Sequence, residues 1–114
     1  MEYPVKREIR GEVLVLETPQ KLDTNASEFL RKQLGQLVKS GHFKLIIDLK
    51  KTTYINSTGL GAIVSQIATC RSNLGDIRLA NTPDSILSLL DITHLNKVLK
   101  SFDSVKLAIK SYIE

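Results

Sequence analysis

Residues 43–49 read Phe43-Lys44-Leu45-Ile46-Ile47-Asp48-Leu49, and the apolar run at their centre indicates the class of fold. A central apolar run of this length is typical of a strand that is covered on both faces, as in a parallel sheet. The segments before and after this run have apolar residues at helical spacing, and they predict helices. We therefore expect an α/β fold with a largely parallel sheet.

The segment immediately upstream is predicted to be a helix. Asp23, Thr24 or Asn25 can cap its start, and Gly41 fits just past its end. Its apolar residues recur at i, i+3, i+4, i+8, i+11 and i+12, which draws one stripe along a helix. The stripe consists of Ala26, Phe29, Leu30, Leu34, Leu37 and Val38.

Two strands are predicted before that helix. Val5–Ile9 alternates apolar and charged residues, as in a half-exposed strand. Val13-Leu14-Val15-Leu16 is typical of a more buried strand. Arg10-Gly11 can make the tight turn between them, so the pair is expected to form a hairpin.

Downstream, a second helix is predicted to begin near Ser57 and to stop at Gly75, and a short strand follows at Ile77–Ala80. The buried stripe of this second helix would consist of Leu60, Ile63, Val64, Ile67, Ala68 and Leu74. Thr82-Pro83-Asp84 is a strong start for a third helix, with a capping hydroxyl and proline at the first helical position. A last strand is expected within Leu95–Phe102. The final helix would then be capped by Asp103 or Ser104.

The predicted order is ββαβαβαβα, in a single domain that fills residues 1–114. The sheet should have four to five strands, mostly parallel, with an N-terminal antiparallel hairpin and about four helices. Right-handed crossovers between neighbouring strands place the crossover helices on one face. We therefore expect a helix from the end of the chain, or a partner, to cover part of the other face.

Composition limits the classes of function. Hydrophobic residues make up 42% and charged residues 25%, as in soluble globular proteins. No apolar run approaches the roughly 18 residues of a membrane span, and no secretory signal is visible. The lone Cys70 excludes an intramolecular disulfide framework and a cysteine-based zinc site, so a cytoplasmic protein is expected. The net charge of +4 is scattered and aromatic residues are only 5%, which argues against a nucleic-acid surface.

The most informative segment is residues 54–64, Tyr-Ile-Asn-Ser-Thr-Gly-Leu-Gly-Ala-Ile-Val. Gly59 and Gly61 fall in the first turns of the second helix, where each costs up to about 1 kcal/mol relative to alanine. Helix N-termini bind anions, and glycines let another surface approach closely. The segment is thus suited to presenting a hydroxyl or holding a phosphate. A structural alternative is that Asn56 or Ser57 only caps the helix and that the glycines relieve crowding against the sheet.

Residues 48–61, Asp-Leu-Lys-Lys-Thr-Thr-Tyr-Ile-Asn-Ser-Thr-Gly-Leu-Gly, closely resemble the signature of STAS domains, above all the bacterial anti-sigma factor antagonists. In that family a strand ending in Asp-Leu is followed by a short loop and by Asp-Ser-Ser/Thr-Gly-Leu-Gly. Leu22-Asp23 resembles the Leu-Asp pair before the family's first helix, and residues 83–95 resemble its third helix. The resemblance covers essentially the whole chain and implies a STAS-like fold.

The resemblance also implies a partner-switching regulator rather than an enzyme. In this family the unphosphorylated antagonist binds an anti-sigma factor that is also a serine kinase, and a sigma factor is freed. Phosphorylation of the first hydroxyl of the motif, here Ser57, releases the antagonist, and a serine phosphatase resets it. No metal or cofactor is implied. The expected partner contact consists of Asp23, Thr24, Asn56, Ser57, Thr58, Gly59 and Leu60.

One departure from the family pattern leaves other functions open. Asn56 stands where the family has an acidic residue, and it keeps the capping ability without the charge. The chain could instead be an unphosphorylated STAS scaffold subunit of a signalling or lipid-transport assembly. A third possibility is a ligand-sensing STAS domain that uses the helix N-terminus as an anion site.

Four other residues are assigned structural roles. Asp48 is expected to form a turn rather than to bind a metal, and Cys70 to be a small buried hydrophobe. Tyr54 and Ile55 could belong to the core or flank the partner site, and the core is the expected place.

Overall fold

The computed structural model describes residues 6–113 as alternating strands and helices. The strands are β1 (Lys6–Arg10), β2 (Val13–Glu17), β3 (Lys21–Leu22), β4 (Lys44–Asp48), β5 (Tyr54–Ile55), β6 (Asp76–Ala80) and β7 (Ser101–Phe102). The helices are α1 (Thr24–Lys39), α2 (Ser57–Val64), α3 (Ile67–Ser72), α4 (Asp84–Ile92) and α5 (Val105–Ile113), with a 3₁₀ turn at Leu95–Lys97.

Five strands form the main sheet, in the order β1-β2-β4-β6-β7. β1 runs antiparallel to β2, and every other neighbouring pair is parallel. The predicted parallel sheet with an N-terminal antiparallel hairpin is therefore confirmed. Val5, where the first strand was expected to start, lies outside the described residues.

Different helices cover the two faces of this sheet. Leu45 and Ile47 of β4 belong to a core that also contains Ile63 of α2, together with residues of α1, α3 and α4. Ile46 belongs to a second core with Ala108 of α5. Successive residues of a strand point to opposite faces, so the apolar run of β4 serves both cores. Of the two coverings expected for part of the second face, a helix from the end of the chain or a partner, the structure shows the helix.

The second predicted helix is broken into α2 and α3 at residues 65–66. The Ser65 hydroxyl donates to the Ala62 carbonyl at 2.7 Å, and the Ser65 N–H bonds the same carbonyl at 3.3 Å. A serine hydroxyl that bonds the preceding turn competes with the helical ladder. Gln66 has φ −115° and ψ 10°, outside helical geometry. Ile67 packs on the same core as α2, so the apolar spacing continues across the break as far as that residue. Ala68 and Leu74, which were expected in the same buried stripe, are exposed, and that part of the prediction is wrong.

The predicted capping role of Thr82 is wrong. Pro83 is the N-cap of α4, and that helix start has no side-chain cap. The Thr82 hydroxyl instead lies 2.8 Å from that of Ser101, where it links the loop before α4 to β7. β7 is also shorter than the strand expected within Leu95–Phe102, because the 3₁₀ turn occupies the start of that segment. Within residues 6–113, no helix combines the length and apolarity that a membrane crossing requires.

Candidate functional site

A second sheet, made of only two short strands, positions the candidate site. β3 pairs in parallel with β5, so that Leu22 lies opposite Ile55. The Asn56 N–H also bonds the Leu22 carbonyl, at 3.4 Å. Helices α1 and α2 begin immediately after these strands, so their N-termini lie side by side. The residues that this arrangement brings together are Asp23, Thr24, Asn56 and Ser57.

Hydrogen bonds between the β2–β3 loop and the β4–β5 loop hold the small sheet in place. The buried hydroxyls of Thr18 and Thr52 lie 2.7 Å apart, and the Thr52 hydroxyl donates to the Pro19 carbonyl at 2.7 Å. The N–H groups of Thr53 and Tyr54 both donate to the carbonyl of residue 20, at 2.8 and 3.3 Å. The site therefore rests on a cross-linked pair of loops at the carboxyl ends of β2 and β4.

Asp48 has the turn-forming role that was predicted for it. Its side chain is buried, and Oδ1 accepts from the Lys50 N–H at 3.1 Å and from Nδ2 of Asn81 at 3.0 Å. These bonds tie the loop after β4 to the loop after β6, at the same end of the sheet as the candidate site.

Both helix starts are capped by the residues that the sequence indicated, and the two caps are connected. Asp23 Oδ1 accepts from the Ala26 N–H at 3.0 Å, and Asn56 Oδ1 accepts from the Gly59 N–H at 2.9 Å. Nδ2 of Asn56 then donates to the hydroxyl of Thr24 at 3.2 Å. A carboxylate at position 56 has no proton to donate to the Thr24 hydroxyl, so a hydrogen bond in this direction requires the side-chain amide of asparagine.

Ser57 presents its hydroxyl at this surface. It is the first residue of α2 and is exposed, and its hydroxyl has no hydrogen-bond partner within the described residues. The positive ends of two helix dipoles converge here, which favours a negative charge on this hydroxyl. The side chains of Thr24, Asn56 and Thr58 are not bases at neutral pH. Among the residues brought together here, the Asp23 carboxylate is the group that could accept a proton, and its Oδ1 already accepts the Ala26 N–H at 3.0 Å.

Gly59 and Gly61 have different surroundings. A Cβ on Gly59 would lie 2.6 Å from Cγ1 of Ile55 and 3.1 Å from Oγ of Ser27, so the bare backbone lets α2 pack against β5 and α1. A Cβ on Gly61 would meet only the tip of the Arg31 guanidinium, at 3.1 Å. The crowding that Gly59 relieves thus comes from the small sheet and from α1.

The expected contact residues differ in exposure. Asp23, Thr24 and Ser57 are exposed, whereas Gly59 is buried and Leu60 is only 8% exposed within the main core. Tyr54, expected in the core, is 49% exposed, so that expectation is wrong. Its partner residue in the small sheet is Lys21, and a two-residue strand gave no pattern that could place the ring.

Among the residues that the structure describes, three side chains outside this surface have displaced pKa values. Burial raises the pKa of the Cys70 thiol to about 11, with a smaller contribution from Asp76. Burial also raises the pKa of Tyr112, again with Asp76 adding to the effect. The hydrogen bond and charge of Lys44 lower the pKa of Glu12. Cys70 is fully buried in the main core, as predicted.

The STAS domain family matches residues 4–108, nearly the whole chain. The match agrees with the mixed sheet and with the position of residues 56–61 at the start of α2. The chain therefore belongs to the STAS domain family, and the resemblance found in the sequence is confirmed.

Similar proteins are described as anti-sigma factor antagonists. The anti-sigma-B factor antagonist of Bacillus subtilis (strain 168) is 32% identical over 78 residues, which cover 68% of this chain and 71% of that protein. A structure of an anti-sigma-factor antagonist (STAS) domain protein from Planctomyces limnophilus superposes with a TM-score of 0.87 at 16% identity, covering 96% of this chain and 98% of that one.

The fold is also shared with SpoIIAA, a Bacillus cell fate determinant, in two chemical states. The unphosphorylated anti-sigma factor antagonist SpoIIAA matches with a TM-score of 0.76 at 15% identity and 96% coverage of both chains. The phosphorylated form matches with a TM-score of 0.74 at 17% identity, covering 94% of this chain and 97% of that chain.

Proposed function

We propose that this chain is an anti-sigma factor antagonist whose binding is controlled by reversible phosphorylation of Ser57. The observation that carries the proposal is the exposed Ser57 hydroxyl, which lies between two adjacent helix N-termini in a STAS domain. The names of its relatives support the role of antagonist. The cytoplasm, where sigma factors act, is the proposed location.

The proposed partner is an anti-sigma factor that is also a serine kinase. It would contact the exposed atoms of Asp23, Thr24, Asn56, Ser57 and Thr58, while Gly59 and Leu60 set the position of α2 beneath that surface. The Ser57 oxygen would attack the γ-phosphorus of ATP bound to the partner, and the hydroxyl proton would pass to a base of the partner. ADP would leave, and phosphoserine would remain on this chain, which acts as binder and substrate rather than as an enzyme.

Phosphorylation would favour release for an electrostatic reason. A phosphate adds roughly −1.5 to −2 charges at neutral pH, and the N-termini of α1 and α2 accommodate that charge in the free protein. In the complex the same group would have to lose water at a packed interface. The two SpoIIAA structures support this, because the phosphorylated form retains the fold shared with this chain. A serine phosphatase would restore the binding form by hydrolysing the phosphate ester.

Asn56 favours one alternative function. Its amide is committed to the Gly59 N–H and the Thr24 hydroxyl, and it gives the surface no negative charge beside Ser57. If a kinase needs a carboxylate at that position, the chain would bind its partner constitutively as a scaffold subunit of a larger assembly. Asn56→Asp introduces that carboxylate, so it separates the two functions.

The test incubates the purified chain with ATP and each histidine-kinase-like anti-sigma factor of the same genome, followed by phosphopeptide mass spectrometry. We expect phosphate on Ser57 in the wild type and in Ser85→Ala, and none in Ser57→Ala. Ser85 is a matched control because it is also an exposed serine in the first turn of a helix, α4. If the wild type binds tightly but carries no phosphate, and Asn56→Asp becomes phosphorylated, the scaffold function is favoured. Neither binding nor phosphate would contradict both functions and leave ligand sensing.

A further inference from the structure

Arg31 of α1 reaches across to α2. Its Nη2 atom would lie 3.1 Å from a Cβ on Gly61, so the guanidinium occupies the space that the missing side chain leaves. The residue is exposed, and its guanidinium has no ion-pair or hydrogen-bond partner in the part of the chain that the structure describes. A cation without a partner therefore rests against the outer surface of α2.

Gly61 is on the same side of α2 as Ser57. Four residues of an α-helix turn through about 400°, so the two positions differ by about 40° around the axis and by about one turn along it. Residues at this spacing are surface neighbours. The Cα–Cβ bonds of a helix tilt toward its N-terminus, so a phosphate on Ser57 would lie about one turn beyond the guanidinium. The exposed Arg31 side chain can extend along that surface to meet it.

The charges beside Ser57 favour such a contact. Asn56 is neutral, so no carboxylate of the adjacent residue competes for the guanidinium or repels a phosphate. The Asp23 carboxylate at the start of α1 is engaged by the Ala26 N–H. Glu28, three residues before Arg31 on α1, is exposed and forms no ion pair with Arg31 among the described residues. A planar guanidinium can form two parallel hydrogen bonds to phosphate oxygens, which an ammonium cannot do.

We propose that Arg31 binds the phosphate of phosphorylated Ser57 within the same chain. The inference rests on the proposed function only in taking Ser57 as the phosphoacceptor. Arg31 is then a positioning residue of the switch, which holds the phosphate against α2 and neutralises part of its charge. It also stabilises the modified chain relative to the unmodified one.

The test places phosphoserine at position 57 during translation, by genetic code expansion, so that no kinase is needed. Phosphorus NMR then follows the second ionisation of the phosphate, whose pKa is about 6 in an isolated phosphoserine. A bound cation stabilises the dianion and lowers this pKa. We expect the pKa in the wild type to be lower than in Arg31→Gln by about 0.5 to 1 unit. Arg31→Lys should give an intermediate value, because it keeps the charge and loses the paired hydrogen bonds.

Lys32→Gln is the matched control, because it removes one exposed positive charge from the next position of α1. It should titrate like the wild type. Equal pKa values in the wild type and Arg31→Gln, or equal shifts in Arg31→Gln and Lys32→Gln, would overturn the contact. If no kinase modifies Ser57 in the earlier assay, the proposed function fails and this titration still decides whether Arg31 binds the phosphate.

Discussion

At the scale of a residue, the absence of a side chain at Gly59 lets α2 pack closely against β5 and α1 beside the candidate site. The sequence indicated two unusual glycines, and it could not distinguish their roles because both fall in the first turns of one helix. The difference depends on Ile55 and Ser27, which contact position 59 from β5 and α1. Ser57, Asn56 and Asp23 could be predicted from the motif and the capping pattern. Arg31 could not, because nothing in its sequence context links it to α2.

Gly59→Ala should therefore destabilise the chain, and Gly61→Ala is its control. A methyl group at position 59 must displace Ile55, and overpacking of this kind costs about 1–3 kcal/mol, offset by up to about 1 kcal/mol of helix propensity. At position 61 only the flexible tip of Arg31 must move, so stability should stay the same or rise by up to about 1 kcal/mol. Urea unfolding measures both variants. Equal stability of the two would contradict the packing role assigned to Gly59.

At the scale of elements, α5 is held on the second face of the sheet by a cluster around Tyr112. Tyr112 Oη lies 2.7 Å from the carbonyl oxygens of both Leu45 and Asp76, and its ring stacks under the Arg78 guanidinium, 4.1 Å from the ring centroid. Arg78 also bonds the Ser111 hydroxyl and the Asp76 carboxylate. The helix and its face could be predicted from capping and from the apolar run of β4. These contacts could not, because they join residues far apart in the sequence.

Replacement of Tyr112 should separate the contribution of the hydroxyl from that of the ring. Tyr112→Phe keeps the ring and its contact with Arg78, and it should lower the free energy of unfolding by about 1 kcal/mol. Tyr112→Ala also removes the packing, and a loss of about 2–3 kcal/mol is expected for this half-buried ring. Denaturant unfolding measures the loss in free energy of unfolding for each variant, and amide hydrogen exchange shows whether α5 opens first. Equal losses in the two variants would contradict a separate role for the ring.

At the scale of the whole molecule, the main sheet was predictable and the small one was not. Consecutive strands joined by helical crossovers tend to be neighbours, so the order β2-β4-β6-β7 follows from the pattern alone. β3 and β5 have two residues each, too few for a periodic signal. Their pairing joins segments that are more than thirty residues apart in the sequence, and it creates the surface around Ser57. The residues of the candidate site were thus predicted in two separate segments of the sequence, and it is the tertiary structure that brings these segments together.

The buried thiol of Cys70 gives the molecule a pH-dependent contribution to stability. Its pKa is about 11 in the folded chain, against about 8.5 in an unfolded one. Folding favours the neutral thiol, so this contribution is complete below about pH 8.5 and is lost progressively toward pH 11. Cys70→Ala lacks this thiol and keeps the other groups that titrate in this range, so the difference between the two chains reports the thiol. The advantage of the wild type over Cys70→Ala in free energy of unfolding should therefore shrink between about pH 8 and pH 10.5, as measured by urea unfolding at each pH. A constant difference would contradict the linkage.

Phosphate on Ser57 should release the partner, and the most direct test is the affinity of two forms of the chain for the anti-sigma factor. Isothermal titration would compare the unmodified chain with the chain that carries encoded phosphoserine at position 57. We predict that the phosphorylated form binds at least tens-fold more weakly, a difference of about 2 kcal/mol or more. Equal dissociation constants for the two forms would contradict the proposed switch.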